Sequence, residues 1–115
     1  MSKIDTLNIS QTSLVEEWKK RLPEVLNSSD QARVWADEAD SNALRVHITT
    51  AGHSMYTFDF KVTYVDSREV KVEVIDVEQE QKHIDERHGV VQNLLDDYVR
   101  HIHECAQILH QVTHA

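Results

Sequence analysis

The chain has 115 residues, of which 40% are hydrophobic and 28% are charged. This composition predicts a single folded domain over residues 1–115 and argues against a multidomain or disordered protein. Twelve Lys and Arg residues against twenty Asp and Glu residues give a formal net charge of −8 with histidine neutral. That balance argues against a nucleic-acid partner, because neutralising phosphates requires a basic surface.

Cysteine and glycine usage excludes several further classes. Cys105 is the single cysteine, so it cannot form an intramolecular disulfide or a cysteine-based zinc site. Gly52 and Gly89 are far apart, whereas loops that cradle phosphates or dinucleotides need clustered glycines. The apolar runs are too short to predict a membrane span or a signal peptide. We therefore expect a cytoplasmic protein with no cofactor and no membrane partner.

The N-terminal part of the chain predicts an arm followed by a helix. Residues 1–11 are mostly polar and could form a flexible arm. Ser13 with Glu16 three residues later is a capping box, which predicts that the helix begins at about Ser13. Pro23 lacks a backbone N–H and disfavours helical geometry in the residue before it, so we predict that the helix ends or kinks there. The polar run 27–30 predicts a loop. The apolar residues at helical spacing are Leu14, Val15, Trp18 and Leu22.

The middle of the chain shows the period-two alternation of half-buried strands. Residues 32–37 fit either a short strand or one helical turn, and we prefer the strand. Residues 51–54 predict a turn. The residues expected to face the core from the later strands are Leu44, Val46, Ile48, Tyr56, Phe58, Phe60, Val62, Tyr64, Val70, Val72 and Val74.

Two details of the strand pattern bear on how the strands pair. Ile75 and Val77 fall out of phase with the preceding valines, which predicts a β-bulge. The connections between successive strands are short, which predicts an antiparallel meander because no crossover helix is available for parallel pairing.

Beyond Glu78 the apolar period changes to about 3.6, which predicts a long C-terminal helix. Gly89 is a weak helix former and could divide this helix into two segments. The predicted fold is α+β in the order α-β-β-β-β-α, with the N-terminal helix and the long C-terminal helix packed on one face of the sheet. The apolar stripe of the C-terminal helix comprises Ile84, Val91, Leu95, Tyr98, Ile102, Cys105, Leu109 and Val112.

The length of this helix predicts a homodimer. A helix of about 30 residues would be about 45 Å long at 1.5 Å per residue, which is longer than a small sheet can cover. We expect the remaining part of its apolar stripe to contact a second copy of the chain across a two-fold axis.

Histidines on one flank of the same helix are candidate metal ligands. His110 and His114 are four residues apart, a spacing at which two imidazoles can share a Zn, Ni or Cu ion, and His103 lies on the same flank. A solvated flank explains the same pattern, and we favour it because the chain lacks an H-E-x-x-H motif. A metal- or pH-responsive protein is therefore the alternative functional hypothesis.

Cys105 and the two tryptophans each allow a functional and a structural interpretation. Cys105 follows His101 by four residues, so the imidazole could activate the thiol. Its position on the apolar stripe favours an unreactive core cysteine, and we predict no catalytic residue. Trp18 and Trp35 could anchor a protein interface, although we favour core positions for both.

Two acidic runs are candidate partner-binding segments, and they contain Asp37, Glu38, Asp40, Asp76, Glu78 and Glu80. They are solvated connections in the simplest interpretation and a docking surface for a basic partner in the other. Because catalytic motifs are absent from the sequence, we expect a non-enzymatic protein–protein interaction or regulatory module, such as an inhibitor, an immunity-type protein or a chaperone-like protein. An enzyme whose site assembles from distant residues is a third hypothesis.

Overall fold

The computed structural model of the chain describes residues 9–26, 30–50, 56–67, 69–79, 82–83 and 89–113. In these ranges the strands form one antiparallel sheet in chain order, which confirms the predicted α+β fold with a meander. A fifth, two-residue strand extends the four predicted ones. The elements are α1 (Gln11–Val25), β1 (Gln31–Ala36), β2 (Ala43–Thr49), β3 (Tyr56–Tyr64), β4 (Val70–Gln79), β5 (Lys82–His83), α2 (Gly89–Ile108) and α3 (His110–Thr113).

Several predicted features fall on residues that the structure does not describe. Residues 1–8 of the predicted arm, residues 27–29 of the predicted loop and the whole predicted turn at 51–54 lie outside the described residues. The same holds for Ile84 at the start of the predicted apolar stripe.

The N-cap of helix α1 is Ser10, three residues before the Ser13 of the predicted capping box. The Ser10 side-chain oxygen accepts a hydrogen bond from the Ser13 backbone N–H at 3.2 Å, and the Ser10 carbonyl accepts the first helical bond from Leu14 at 2.9 Å. Ser10 and Ser13 have the same capping chemistry, so the serine pattern alone does not distinguish them. Glu16 forms an ion pair with Lys19 at 3.5 Å, which corrects its predicted role in a capping box.

Pro23 does not end α1, so the first of the two predicted outcomes, an end or a kink, is wrong. The helix continues to Val25, with Leu22 fully buried and Val25 packed against the core. Pro23 lies in the last turn, where the lost N–H removes only the bond to the carbonyl of Lys19. Core packing on both sides of the proline therefore holds the last turn in place.

The strand predictions are confirmed, including the preference for a strand near residue 32. The register of β3 and β4 shifts by one residue between two neighbouring pairs. Phe60 lies opposite Val74, whereas Asp59, the residue before it, lies opposite Asp76. Ile75 is the extra residue between these two pairs, which confirms the predicted bulge.

The core lies between one face of the sheet and the two longer helices, which also contact each other. Side chains alternate along each strand, so one face of the sheet is buried and the other carries polar residues. The fully buried side chains of the core are Leu14, Trp18, Leu22, Leu44, Val46, Ile48, Phe58, Phe60, Val62, Val91, Ile102 and Cys105.

Helix α2 is shorter than the predicted C-terminal helix. Strand β4 continues past Glu78 and pairs with β5, so the change from strand to helix comes later. Gly89 is the first residue of α2 and does not divide it, because glycine is unfavourable in a helix interior and costs less at an end. The interruption lies at Leu109, between α2 and α3.

The shorter helix removes the basis of the predicted helix-mediated dimer contact. The 20 residues of α2 span about 30 Å at 1.5 Å per residue. Its apolar stripe from Val91 to Leu109 is buried within the chain's own core. The homodimer stays a prediction, but helix length no longer supports it. None of the helices in the described ranges combines the length and the apolar character that a membrane crossing requires.

Candidate functional site

The sheet face opposite the helices, called the outer face below, carries a row of polar residues across four strands. In the register of the sheet, Arg33 lies beside His47, His47 beside Asp59, and Asp59 beside Asp76. His47 Nδ1 and Asp59 Oδ1 are 2.6 Å apart, and these side chains are 30% and 31% exposed. The row brings together residues that are up to 43 positions apart in the chain, from Arg33 to Asp76.

Asp59 and Asp76 directly oppose each other on β3 and β4. Like charges in this arrangement destabilise a sheet. The bulge at Ile75 creates the pair, because a regular register would place Ile75 opposite Asp59. Asp76 Oδ1 accepts a hydrogen bond from the Val77 backbone N–H at 2.9 Å, and Glu78 follows on the same face. We call Asp59, Asp76 and Glu78 the acidic patch.

The two predicted acidic runs lie at opposite ends of the sheet. The first forms the turn between β1 and β2, whereas Glu78 lies level with Gln31 at the beginning of β1. Asp76 and Glu78 are brought together with Asp59, which was not among the predicted partner-binding residues. Its alternation with inward-facing phenylalanines was the available signal. Glu80 lies outside the described residues.

The Asp37 carboxylate is fully hydrogen-bonded within the β1–β2 turn, and the residue is only 5% exposed. Its carboxylate accepts hydrogen bonds from Arg45 Nε at 2.7 Å and from the backbone N–H groups of Ala39 and Asp40 at 3.0 and 2.8 Å. The Arg45 hydrogen bond lowers the pKa of Asp37 below its ordinary value, burial opposes this, and the backbone bonds add to it. Asp37 therefore closes the turn and is not available as a docking carboxylate.

The other two acidic residues of this turn differ in their surroundings. Asp40 Oδ1 accepts a hydrogen bond from the Asn42 N–H at 2.9 Å. The Asp40 carbonyl also accepts a hydrogen bond from Gln11 Nε2 at 3.0 Å, which fastens the turn to α1. Glu38 is exposed, and it is the carboxylate of this turn that remains available to a partner.

Strand β1 lies at the edge of the sheet, and cavities follow it on both sides of Trp35. One of about 400 Å³ lies between α1 and β1, and one of about 220 Å³ lies at the β1–β2 turn. Trp35 lines both cavities and is 44% exposed, so the core prediction is wrong for this residue. It is correct for Trp18, which is fully buried and donates its Nε1–H to the Tyr64 hydroxyl at 3.1 Å.

Two of the three predicted metal-binding histidines lie within the described residues, and they belong to different helices. His103 is exposed on α2, His110 is partly buried on α3, and His114 lies outside the described residues. Within the ranges that the structure describes, no group of three His, Cys, Asp or Glu side chains could hold a metal ion. The predicted pair of His110 and His114 stays a prediction.

Cys105 has the surroundings of a structural cysteine. It is fully buried, and this burial raises the pKa of its thiol to about 12, with Glu24 adding to the shift and Arg21 opposing it. His101 Nδ1 lies 2.8 Å from Glu104 Oε1. At neutral pH the thiol is therefore protonated and the imidazole is engaged by a carboxylate, so these residues do not form an activated nucleophile.

No family model, curated protein sequence or solved structure matches the chain.

Proposed function

We propose that this protein is a non-enzymatic protein–protein interaction module of the inhibitor, immunity or chaperone-like kind, whose partner presents a basic surface to the acidic patch. The observation that carries the proposal is the direct opposition of Asp59 and Asp76 on the outer face. The cytoplasm is the proposed location, supported by the single cysteine, which needs no oxidising compartment.

A basic partner would offset the repulsion between these two carboxylates, of which Asp59 already has the His47 ring nitrogen 2.6 Å away. Directly opposed like charges cost a sheet up to about 1 kcal/mol. A Lys or Arg side chain placed between the two carboxylates would replace their repulsion by two charge-assisted contacts. Glu78 extends the same patch by one more residue along β4, so the partner surface would carry more than one basic side chain.

The location of the patch also favours a binding role over solvation. A solvated face gains nothing from placing two carboxylates directly opposite each other, and the pair depends on a bulge. Bulges commonly redirect side chains next to functional sites. The helices pack on the opposite face, so the patch is accessible without any rearrangement of the core.

A capture experiment with charge-matched variants tests this proposal. The tagged wild-type chain is compared with Asp76→Asn plus Glu78→Gln, and with Glu16→Gln plus Glu24→Gln on the exposed side of α1. Both variants remove two negative charges. We expect the wild type and the α1 variant to retain a stoichiometric basic partner, and the patch variant to bind that partner about tenfold or more weakly.

Folding and salt controls complete the test. Asp76→Asn should change the free energy of unfolding by less than about 1 kcal/mol, because the amide oxygen can still accept the Val77 N–H and the repulsion from Asp59 is removed. Lost capture would then not reflect unfolding. Binding should also weaken in about 0.5 M salt, where charge contacts are screened. Equal capture by the patch variant, salt-independent capture, or the absence of any stoichiometric partner would each overturn the proposal.

A further inference from the structure

Half of the backbone groups of β1 point away from the sheet. The Asp37 N–H donates to the Ala43 carbonyl at the start of β2, at 3.2 Å. Backbone groups of successive residues alternate between the two sides of a strand, so those of Arg33 and Trp35 also face β2. Within the described residues no strand pairs with the other side of β1. The groups facing that side belong to Ala32, Val34 and Ala36.

This edge lacks most of the features that protect edge strands from pairing. Natural proteins use short strands, bulges, prolines, charged side chains or a covering helix for that purpose, and β1 has the charged Arg33 and lies beside α1. At the other edge, β5 is two residues long. Strand β1 is six residues long, is paired to β2 without a register shift, and contains neither proline nor lysine. Its backbone is a template for another strand.

The two ends of this edge carry opposite charges. Arg33 near the beginning and Glu38 just after the end are both exposed, and neither forms an ion pair with another described residue. Lys19 lines the cavity beside Arg33, with its ammonium 3.5 Å from Glu16. The half-exposed indole of Trp35 lies between the charged ends.

We infer that β1 pairs with β1 of a second copy of this chain, antiparallel, to form a two-fold homodimer. Reversing the strand direction places Arg33 beside the turn that contains Glu38 of the partner subunit. The two-fold symmetry repeats this contact, so an edge with one basic and one acidic end is complementary to itself. The interface is the β1 edge and not the C-terminal helix.

Charge selects the register of this pairing. A two-fold axis at Trp35 places Arg33 opposite the partner's Asp37, whose counterpart in this chain is engaged by Arg45, and therefore next to the exposed carboxylate of the partner's Glu38. An axis at Val34 would instead place Arg33 opposite the partner's Trp35 and farther from the partner's Glu38, and an axis at Arg33 would oppose two guanidinium groups. Only the axis at Trp35 also brings the two indoles face to face, and cross-strand aromatic pairs stabilise a sheet.

The pairing covers the exposed surface of β1 and leaves the acidic patch open. The indole of Trp35 and the cavities beside it would become part of the interface. Paired strands continue the same two faces of a sheet, so both acidic patches would lie on one face of the joined sheet. The dimer is therefore independent of the proposed function, and the failure of one would leave the other standing.

Sedimentation equilibrium on charge-reversed variants tests the dimer. The wild type is compared with Arg33→Glu, with Glu38→Lys and with the double variant, at concentrations up to about 100 µM. We expect a wild-type dimer, a dimer dissociation constant raised about tenfold or more by each single reversal, and recovery in the double variant. Lys71→Glu on the outer face of β4 is the control and should leave the dissociation constant unchanged.

The sedimentation results distinguish a dimer through β1 from a monomer and from a dimer through another surface. The far-ultraviolet circular dichroism of each variant shows that the changed residues have not unfolded the chain. A monomer at all concentrations overturns the inference. So does a dimer that neither reversal weakens, because its interface would lie elsewhere. A double variant as weak as the single variants would show that Arg33 and Glu38 do not meet across the interface.

Discussion

Trp18 on α1 donates its indole N–H to the hydroxyl oxygen of Tyr64 on β3, at 3.1 Å, and the two rings meet edge to face. Both side chains are buried, so this hydrogen bond ties the first helix to the sheet inside the core. Burial also raises the pKa of Tyr64 above its ordinary value, which keeps the hydroxyl protonated at neutral pH. The indole N–H has its partner 46 residues away in the chain.

Replacing Tyr64 by phenylalanine should therefore destabilise the protein. The change retains the ring but leaves the buried Trp18 N–H without an acceptor, which costs about 1–3 kcal/mol. Urea unfolding monitored by circular dichroism measures the loss. Tyr56→Phe removes a hydroxyl from a partly exposed ring on the same strand and should cost less than about 0.5 kcal/mol. Equal effects of the two changes would show that the Trp18 bond contributes nothing to stability.

The Asp37 carboxylate should make stability depend on acid pH. Because its pKa is below the ordinary value of 3.8 in the folded protein, the ionised form stabilises the fold above that value. This contribution is lost as the pH falls through the lower folded value. Urea unfolding at several pH values between about 6 and 2 should show a wild-type advantage over Asp37→Asn that shrinks below about pH 4. Asp97→Asn, at an exposed ion pair on α2, is the control. If the wild type is more stable than Asp37→Asn by the same amount at every pH, the prediction is wrong.

Deletion of Ile75 should be tolerated, although it lies inside a ten-residue strand. Without the extra residue, Val74 would still face Phe60 and Val77 would still face Phe58 in a regular register. We expect the free energy of unfolding to change by less than about 1 kcal/mol.

A deletion in the neighbouring strand provides the comparison. Removing Lys61 from β3 should cost more than about 3 kcal/mol, because it turns Val62 and Tyr64 toward the outer face and Thr63 toward the core. Urea unfolding measures the free energy of unfolding of both deletion variants. Equal destabilisation would show that Ile75 has a packing role of its own.

The Cys105 thiol should be unreactive in the native protein. Burial raises its pKa to about 12 and also blocks access of reagents, so the reactive thiolate is scarce at pH 8. A disulfide reagent that releases a chromophore should titrate less than about a tenth of the thiol in native buffer and all of it in denaturant. Rapid native reaction would mean that the core around α2 opens readily.

The fold could be predicted closely because its signals are local. Alternation from Tyr56 to Tyr64 places one face of β3 in the core whatever its neighbours are, since successive side chains point to opposite faces. The phase change at Ile75 likewise predicted the bulge. The ends of the helices were predicted less well. Ser10 and Ser13 are equivalent caps in sequence, and the last turn around Pro23 depends on packing against the sheet.

The candidate site could be predicted only in part. Asp76 and Glu78 were identified as acidic residues, but the opposition of Asp76 to Asp59 depends on which residues face each other across β3 and β4. The sequence pattern does not specify that register. Trp35 was expected in the core because its chemistry is apolar. Its exposure follows from the alternation along β1, which puts Trp35 on the outer face with Arg33 while Val34 faces the core.

The sequence by itself determined where the strands and the two longer helices lie, which side of β2, β3, β4 and those helices is buried, the acidic balance and the structural nature of Cys105. All of these follow from periodicity or composition, which are properties of short stretches of chain. Only the tertiary structure decided that Asp37 is hydrogen-bonded to Arg45, that Asp59 lies opposite Asp76, and that β1 lies at an edge of the sheet. The physical reason is that these contacts arise from strand order, register and helix packing, which depend on the interaction energies of residues far apart in the chain.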